Sequence, residues 1–195
     1  INTMRNSIGN DWQELQQLQN SDGGFSWYAG YPSSYPTSLY ILKNLGKITQ
    51  WLKGNTAEYQ QGDQQEMVKK LIAFVDAQAG QYLVADSESV WSNAVFDYLD
   101  SRRYWEKEFP LRGKGALLKQ KLISKAAKAS VKDFTFFGLH RAALLFDSYH
   151  LNAISRKIIT YMKETSVQLE TQGVYWKKNL DEWDLYRSKI INQAG

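Results

Sequence analysis

The sequence predicts an all-α fold built from consecutive antiparallel helical hairpins. Apolar residues recur at steps of three and four along most of the chain, which is the period of one helix face. Hydrophobic residues make up 43% of the 195 residues and aromatic residues 14%, which is too many for a disordered chain. The segments between the periodic stretches are short, so successive helices are expected to pack on each other.

About eight helices are expected from this period. Leu39, Leu42 and Leu45 mark one face of the second helix, and Pro36 lies in its first turn, where the missing N–H of proline costs nothing. Pro110 is expected to end the fourth helix, because a helix interior tolerates proline poorly. The predicted segments are 10–20, 36–52, 63–84, 88–107, 115–129, 133–149, 151–166 and 180–192.

The composition excludes several kinds of site. The chain has no cysteine, which rules out a disulfide scaffold, a thiolate metal site and a cysteine nucleophile. With only two histidines, His140 and His150, a multi-histidine metal site is not expected. No apolar run reaches the roughly 18–20 residues of a membrane span. No signal peptide is visible, and the start at Ile1 leaves room for an upstream segment that has been removed.

Two stretches, 20–35 and 167–179, interrupt the helical period, and both are rich in glycine and aromatic residues. The first contains Gln-Asn-Ser-Asp-Gly-Gly-Phe-Ser-Trp at 19–27, and the second contains Glu-Thr-Gln-Gly-Val-Tyr-Trp at 170–176. Each follows a predicted helix, turns on glycine and then presents two aromatic side chains. Neither has the sustained alternation of a strand, so any sheet is expected to be no more than a short hairpin.

The Asp-Gly-Gly sequence of the first break is interpreted as a structural turn. Asp22 can accept hydrogen bonds from turn amides, and Gly23 or Gly24 can supply a positive φ. Phe25 or Trp27 is expected to lie buried against the following helix, because a buried aromatic side chain removes about 150–250 Å² from water.

This break resembles the Gln-x-x-Asp-Gly-Gly-Phe/Trp turn that recurs in α/α-toroid proteins, which include terpene cyclases, protein prenyltransferase β-subunits and the thioester domains of α2-macroglobulins and complement proteins. The longer similarity is to bacterial α2-macroglobulin-like proteins, whose thioester-domain region has a similar turn followed by a helix like that at 37–48. Residues 173–179 also resemble this family, at a comparable place later in the domain. The resemblance is strongest over 18–48 and 168–195.

The resemblance implies that residues 1–195 form a single domain, an incomplete α/α toroid that is a fragment of a thioester domain. The parent protein would be an extracytoplasmic endopeptidase inhibitor, periplasmic, membrane-anchored or secreted, that entraps proteases after they cleave a bait region. The implied role of this segment is scaffolding, with neighbouring domains of the parent and target proteases as partners. The Cys-x-Glu-Gln thioester motif would lie before Ile1, or the parent protein would lack it; this chain has no cysteine and cannot form the covalent bond by itself.

An α/α-toroid enzyme, glycosidase-like or terpene-cyclase-like, is the alternative from the same superfamily. The acidic cluster Asp181, Glu182 and Asp184 is better explained by the first turn of a helix, where acids favour the helix dipole and Asp184 can pair with Arg187. A prenyltransferase needs a zinc-bound cysteine, which is absent.

A glycosidase needs two carboxylates about 5–10 Å apart across a cleft. Asp86, Glu88, Asp97 and Asp100 are candidates, but nothing in the sequence marks out two of them. We therefore predict that the segment is not an enzyme, and that it has no catalytic, cofactor-binding or metal-binding residue and no cofactor.

Two further features have a structural and a functional interpretation. The histidines are expected to be hydrogen-bonded core, rim or helix-junction residues, since neither has the context of a catalytic triad. Seven cations occur between 112 and 132 with no acid and no aromatic residue among them, which favours a solvated face or a docking face for an acidic neighbour over a nucleic-acid site. These cations are Arg112, Lys114, Lys119, Lys121, Lys125, Lys128 and Lys132.

A glycan-binding domain is the last alternative. Trp27, Tyr28, Tyr31 and Tyr35 could stack on sugars if they were exposed. Packing of these aromatic side chains against helix ends is the favoured expectation.

Overall fold

A computed structural model of the chain describes residues 11–52, 62–83, 90–171 and 173–176. Helices dominate the described part, and its one sheet has only two short strands, so the all-α prediction is confirmed. Residues 11–17 form α1. The later elements are α2 (Tyr35–Leu52), α3 (Gly62–Tyr82), α4 (Asn93–Arg102), α5 (Gly113–Ala126), a 3₁₀ turn (Val131–Asp133), α6 (Phe136–Ser148), α7 (Asn152–Thr165), β1 (Val167–Leu169) and β2 (Gly173–Tyr175).

The described residues fall into two compact packing units. The first comprises the chain up to Val90 together with Ala94–Gln120, and the second comprises Trp91–Asn93 together with the residues from Lys121 onward. Helix α5 contains the boundary between them. The expectation of a single domain over 1–195 stays a prediction.

The core of the first unit forms where α2 and α3 pack together. Leu42 of α2 and Leu71 and Val75 of α3 are fully buried, as is Leu99 of α4. Leu71 and Val75 are four residues apart on α3, the spacing that one buried helix face predicts. At Gly46, an added Cβ would come within 2.5 Å of the Cβ of Tyr104, so the glycine allows α2 to approach the segment after α4.

The second unit is built on a helical hairpin of α6 and α7, which pack along each other. The chain reverses at His150, whose φ is +59°, while the amide of Leu151 donates to the Phe146 carbonyl at 2.8 Å. These are the features of a left-handed helix end. The rings of Trp91, Phe134 and Phe146 pack edge-to-face with centroids 5.1–6.0 Å apart. His150 lies between the end of α6 and the start of α7, which is a helix junction as predicted.

The second break forms a short antiparallel hairpin. Val167 pairs with Tyr175 and Leu169 with Gly173, whose φ of +71° shapes the turn. The indole of Trp176 donates to the Met162 carbonyl at 2.7 Å and so anchors the hairpin to α7. The expectation that any sheet would be no more than a short hairpin is confirmed for the described part of the chain.

Several helix boundaries differ from the prediction by three to five residues, and the structure shows a cause for two of them. Helix α1 ends at 17, before the predicted 20. The chain turns at Leu18, because Gln19 pairs with Phe25 in an isolated β-bridge. Helix α4 ends at Arg102, well before Pro110, so the expectation that Pro110 ends it is wrong. The chain from 103 to 109 runs through turns instead, because the buried Arg102 guanidinium donates to the Phe109 carbonyl at 2.9 Å. The predicted helix at 180–192 lies outside the described residues.

Candidate functional site

The Asp-Gly-Gly turn, residues 19–25, is closed by hydrogen bonds within itself. The Gly23 amide donates to the Asn20 carbonyl and the Asn20 amide donates to the Gly24 carbonyl, both at 2.9 Å. The Asp22 carboxylate accepts from the Gly24 amide at 2.9 Å and from the Ser33 hydroxyl at 2.6 Å. Asp22 therefore accepts a turn amide as the sequence predicts, and it also ties the turn to the loop that follows.

Both glycines are required by close packing, and one of them also by backbone conformation. Gly23 has φ +87°, and an added Cβ would lie 2.5 Å from the Lys70 carbonyl oxygen of α3. At Gly24, an added Cβ would lie 2.6 Å from the Ser33 Cβ and 2.8 Å from the Phe74 ring. A side chain at either position would force neighbouring atoms to move.

Side chains from this turn reach distant parts of the first unit. The side-chain amide of Gln19 donates to the Gly23 carbonyl at 2.9 Å and to the Met67 carbonyl of α3 at 3.0 Å. The Phe25 amide donates to the Ser38 hydroxyl of α2 at 2.8 Å. The turn therefore joins the end of α1 to both α2 and α3, which is the role of a structural turn.

Phe25, in the turn, and Trp27, two residues after it, differ sharply in burial. Phe25 is 2% exposed, which confirms the expected burial of one of the pair. Trp27 is 78% exposed, Tyr28 73% and Tyr31 64%, so the expectation that these three pack against helix ends is wrong. Tyr35 differs from them, because it lies in the first turn of α2 and its hydroxyl is buried.

The exposure of these three aromatic residues follows from the path of the loop. The Ser26 hydroxyl donates to the Tyr28 carbonyl at 2.6 Å, and the Tyr31 amide donates to the same carbonyl at 3.2 Å. Gly30 has φ +81° and open space around it. The loop therefore reverses away from the packed helices, and the rings of Tyr28 and Tyr31 contact each other at 6.0 Å.

Of the four acids considered for a glycosidase-like pair, the structure describes Asp97 and Asp100, which lie three residues apart on α4. Asp100 forms ion pairs with Lys43 and Arg103, each at 2.5 Å. Burial of the Asp100 carboxyl raises its pKa, but the hydrogen bond and charge of Lys43, followed by those of Arg103, outweigh burial and hold the pKa below its ordinary value. Asp100 is thus occupied in linking α2 to α4. Asp97 also lies on α4 and is half-buried.

The remaining acids that sequence reasoning singled out are not in the described residues. Asp86 and Glu88 lie in the gap between 83 and 90. The cluster Asp181, Glu182 and Asp184 follows the last described residue, 176. Their roles stay predictions.

A buried charged cluster was missed by sequence reasoning. Arg102 is completely buried, and its Nε donates to the Asp76 carboxylate at 2.8 Å, which also accepts from the Tyr98 hydroxyl at 2.9 Å. Burial first, and the Asp76 charge second, raise the pKa values of Tyr98 and Tyr35. The one available signal was the spacing of Tyr98 and Arg102, which places both on one face of α4.

The cluster links α3 to α4 and to the chain that follows. The Asp76 carboxylate is already shared by Arg102 and Tyr98. This arrangement stabilises packing and offers no evident nucleophile.

The two histidines and the seven cations between 112 and 132 differ in their burial and in their partners. His140 is half-buried within α6 and His150 is exposed. Of the seven cations between 112 and 132, Lys119 pairs with Glu106 and Lys114 donates to the Gly80 carbonyl. The other five include a half-buried lysine at 121 and four exposed cations, Arg112, Lys125, Lys128 and Lys132.

Two features are absent from the described residues. They contain no group of three or more His, Cys, Asp or Glu side chains arranged to hold a metal ion. No helix among them is both long enough and apolar enough to cross a bilayer.

Comparison of the chain with protein-family models, with curated proteins and with solved structures finds no match.

Proposed function

We propose that this chain is part of a bacterial α2-macroglobulin-like endopeptidase inhibitor, in which it has a scaffolding role. The parent protein would act outside the cytoplasm and entrap proteases, and this segment would contact neighbouring domains of the parent. Its helices would form part of an α/α toroid. The segment itself would catalyse no reaction and hold no cofactor.

The observation that carries the proposal is that the Asp-Gly-Gly turn joins α1, α2 and α3. The residues that resemble the bacterial family are the same ones that join three helices. Gln19 contacts α3, Phe25 contacts α2, and Gly23 permits the close approach to α3. A sequence motif that packs helices together, with its polar groups already paired, fits a scaffold better than a reaction site.

The second resembling motif supports the same proposal. Residues 173–176 form a short strand and its end, with Trp176 hydrogen-bonded to α7. Both glycine-aromatic motifs thus follow helices and anchor aromatic side chains on them.

The test is an entrapment assay on the complete product of the reading frame that encodes this chain. The protein is incubated with trypsin, and the remaining activity is measured on casein and on a small chromogenic peptide. A trapped protease is shielded from large substrates only, so we expect activity on casein to fall while activity on the small peptide is retained. Unchanged activity on both substrates would refute the proposal, and equal loss on both would indicate inhibition by blocking of the active site.

A second candidate function, glycan binding, is favoured by the exposed aromatic loop. Trp27, Tyr28 and Tyr31 expose most of their side chains on a loop held by internal hydrogen bonds. No charged residue occurs from 23 to 42, which suits an uncharged ligand. Aromatic rings combine an apolar face with a polar tip and can stack on the C–H face of a neutral sugar.

Calorimetric titration with cellohexaose and chitohexaose tests this candidate. Glycan binding predicts measurable heat that disappears in Trp27→Ala and persists in Trp51→Ala. Trp51 is a matched control, because it has the same 78% exposure but lies in the last turn of α2. Absence of binding by the parent chain would eliminate the candidate for these glycans.

A further inference from the structure

A groove in the second unit has a charge pattern that the proposed function does not use. Its volume is about 620 Å³, and it lies between α7 and the turn that leads into the 3₁₀ helix. Its α7 wall carries Arg156, Lys157, Thr160, Tyr161 and Glu164, and the facing wall is formed by residues 129–131.

Two cations line this groove, and two more are adjacent in sequence to its lining residues. Arg156 and Lys157 are exposed on the first half of α7, and Lys128 and Lys132 are exposed on either side of residues 129–131. In the part of the chain that the structure describes, none of these four forms an ion pair within 4.0 Å. Their charge is therefore available to an incoming anion.

The facing wall is held in place by a capping box. The Ser130 hydroxyl accepts from the Lys132 amide, and the Asp133 carboxylate accepts from the Ser130 amide at 2.8 Å. Asp133 is thus engaged with the backbone of its own turn. Asp133 does not line the groove, and Glu164 is the only acid among the residues that do.

We propose that this groove binds a short acidic peptide segment, whose carboxylates pair with Arg156 and Lys157. Guanidinium and carboxylate groups match in bidentate geometry, and pairs of this kind are stronger than neutral hydrogen bonds. From residue 156 to 164, α7 rises by about 12 Å, the length of roughly four residues of extended chain. Ser130, Thr160 and Tyr161, whose side chains carry hydroxyl groups, also line the groove.

The same observations disfavour nucleic acid and membranes as occupants. A single-stranded nucleic acid calls for several exposed aromatic platforms, whereas Tyr161 is the single aromatic residue in the lining and is half-buried. A vesicle surface is too flat to enter a groove, although it could contact the exposed lysines at the rim.

The test is fluorescence anisotropy of the full chain with fluorescein-labelled Gly-Glu-Glu-Glu-Glu, compared with the matched Gly-Gln-Gln-Gln-Gln peptide. We expect binding of the glutamate peptide only, with affinity that falls as salt is raised. Arg156→Gln combined with Lys157→Gln should weaken binding by about tenfold or more. Glu164→Gln should strengthen it by roughly two- to fivefold, because a like charge is removed.

Lys47→Gln combined with Lys107→Gln is the matched control. It removes the same net charge from exposed positions in the first unit, and should leave the affinity within about twofold. Equal weakening by the two double variants would overturn the proposal in favour of general charge attraction. Weaker binding in Glu164→Gln would also overturn it, and so would equal affinity for the glutamine peptide.

Two further probes separate the other occupants. Oligo-dT or phosphatidylserine vesicles that bind more tightly than the glutamate peptide, and with the same dependence on Arg156 and Lys157, would assign the groove to phosphates. Circular dichroism establishes that each variant folds. If the double variant does not fold, Lys157→Gln alone and Glu164→Gln, with their opposite expected shifts, decide the outcome.

Discussion

Substitution of Gly23 by alanine isolates the contact between the Asp-Gly-Gly turn and α3. The backbone φ of +87° disfavours any side chain, at about 1–2 kcal/mol. The new Cβ would also lie 2.5 Å from the Lys70 carbonyl oxygen and 2.9 Å from its carbon, which are backbone atoms of a packed helix. Overpacking of this kind costs about 1–3 kcal/mol. The free energy of unfolding should therefore fall by about 2–5 kcal/mol.

Gly30→Ala is the matched control for this substitution. Gly30 has a similar φ of +81°, but nothing lies within 4 Å of the position of an added Cβ. Only the conformational cost of about 1–2 kcal/mol applies there. For a chain of this size each kcal/mol lowers Tm by about 2–4 °C, so we expect losses of roughly 4–20 °C for Gly23→Ala and roughly 2–8 °C for Gly30→Ala.

Thermal unfolding followed by far-UV circular dichroism measures both values under the same conditions. Equal Tm losses in the two variants would refute the close approach of the turn to α3. If neither variant lost stability, the positive φ values themselves would be wrong. Urea unfolding at 25 °C provides the free energies independently of ΔCp.

Three other predictions follow from the side chains described above. Phe25→Ala should cost about 3–5 kcal/mol, since the ring is buried, whereas Trp27→Ala should change stability by less than about 0.5 kcal/mol; urea unfolding of both variants compares them. Asp76→Asn should cost about 3–5 kcal/mol, because it leaves the guanidinium of Arg102 buried without its counter-charge, and an unchanged midpoint in urea would contradict this. Asp100→Asn should destabilise the protein at pH 7. The lowered pKa of Asp100 adds stability that is present above its ordinary pKa and is lost as pH falls through the folded pKa, so the difference in unfolding free energy between parent and variant should shrink toward zero in acid.

Features set by local chemistry were predictable from the sequence. Helix α2 begins within one residue of the predicted 36, and α7 within one of the predicted 151, because apolar period and proline position act over a few residues. The roles of Asp22 and Gly23 also followed from the chemistry of turns alone.

Features set by distant contacts were not predictable. Asp76 and Arg102 are 26 residues apart on different helices, and nothing in either local sequence indicates the other. The end of α4 was misplaced for a related reason, since the contact of Arg102 with the Phe109 carbonyl replaces a helical continuation that propensity alone would allow. Sequence composition likewise could not separate the buried Phe25 from the exposed Trp27, because both are large aromatic residues two positions apart.

The hydrogen bonds of the Asp-Gly-Gly turn have a consequence for hydrogen exchange. The Phe25 amide is bonded to Ser38, and Gln19 is bonded to Met67, 48 residues away. Exposing the Phe25 amide to solvent therefore requires the turn to separate from α2, an opening whose free energy should approach that of the whole unit. A few residues later, nothing lies within 4 Å of an added Cβ at Gly30, so the loop there is expected to open at a lower free energy. Within less than ten residues the chain thus passes from some of its most slowly exchanging amides to some of its fastest.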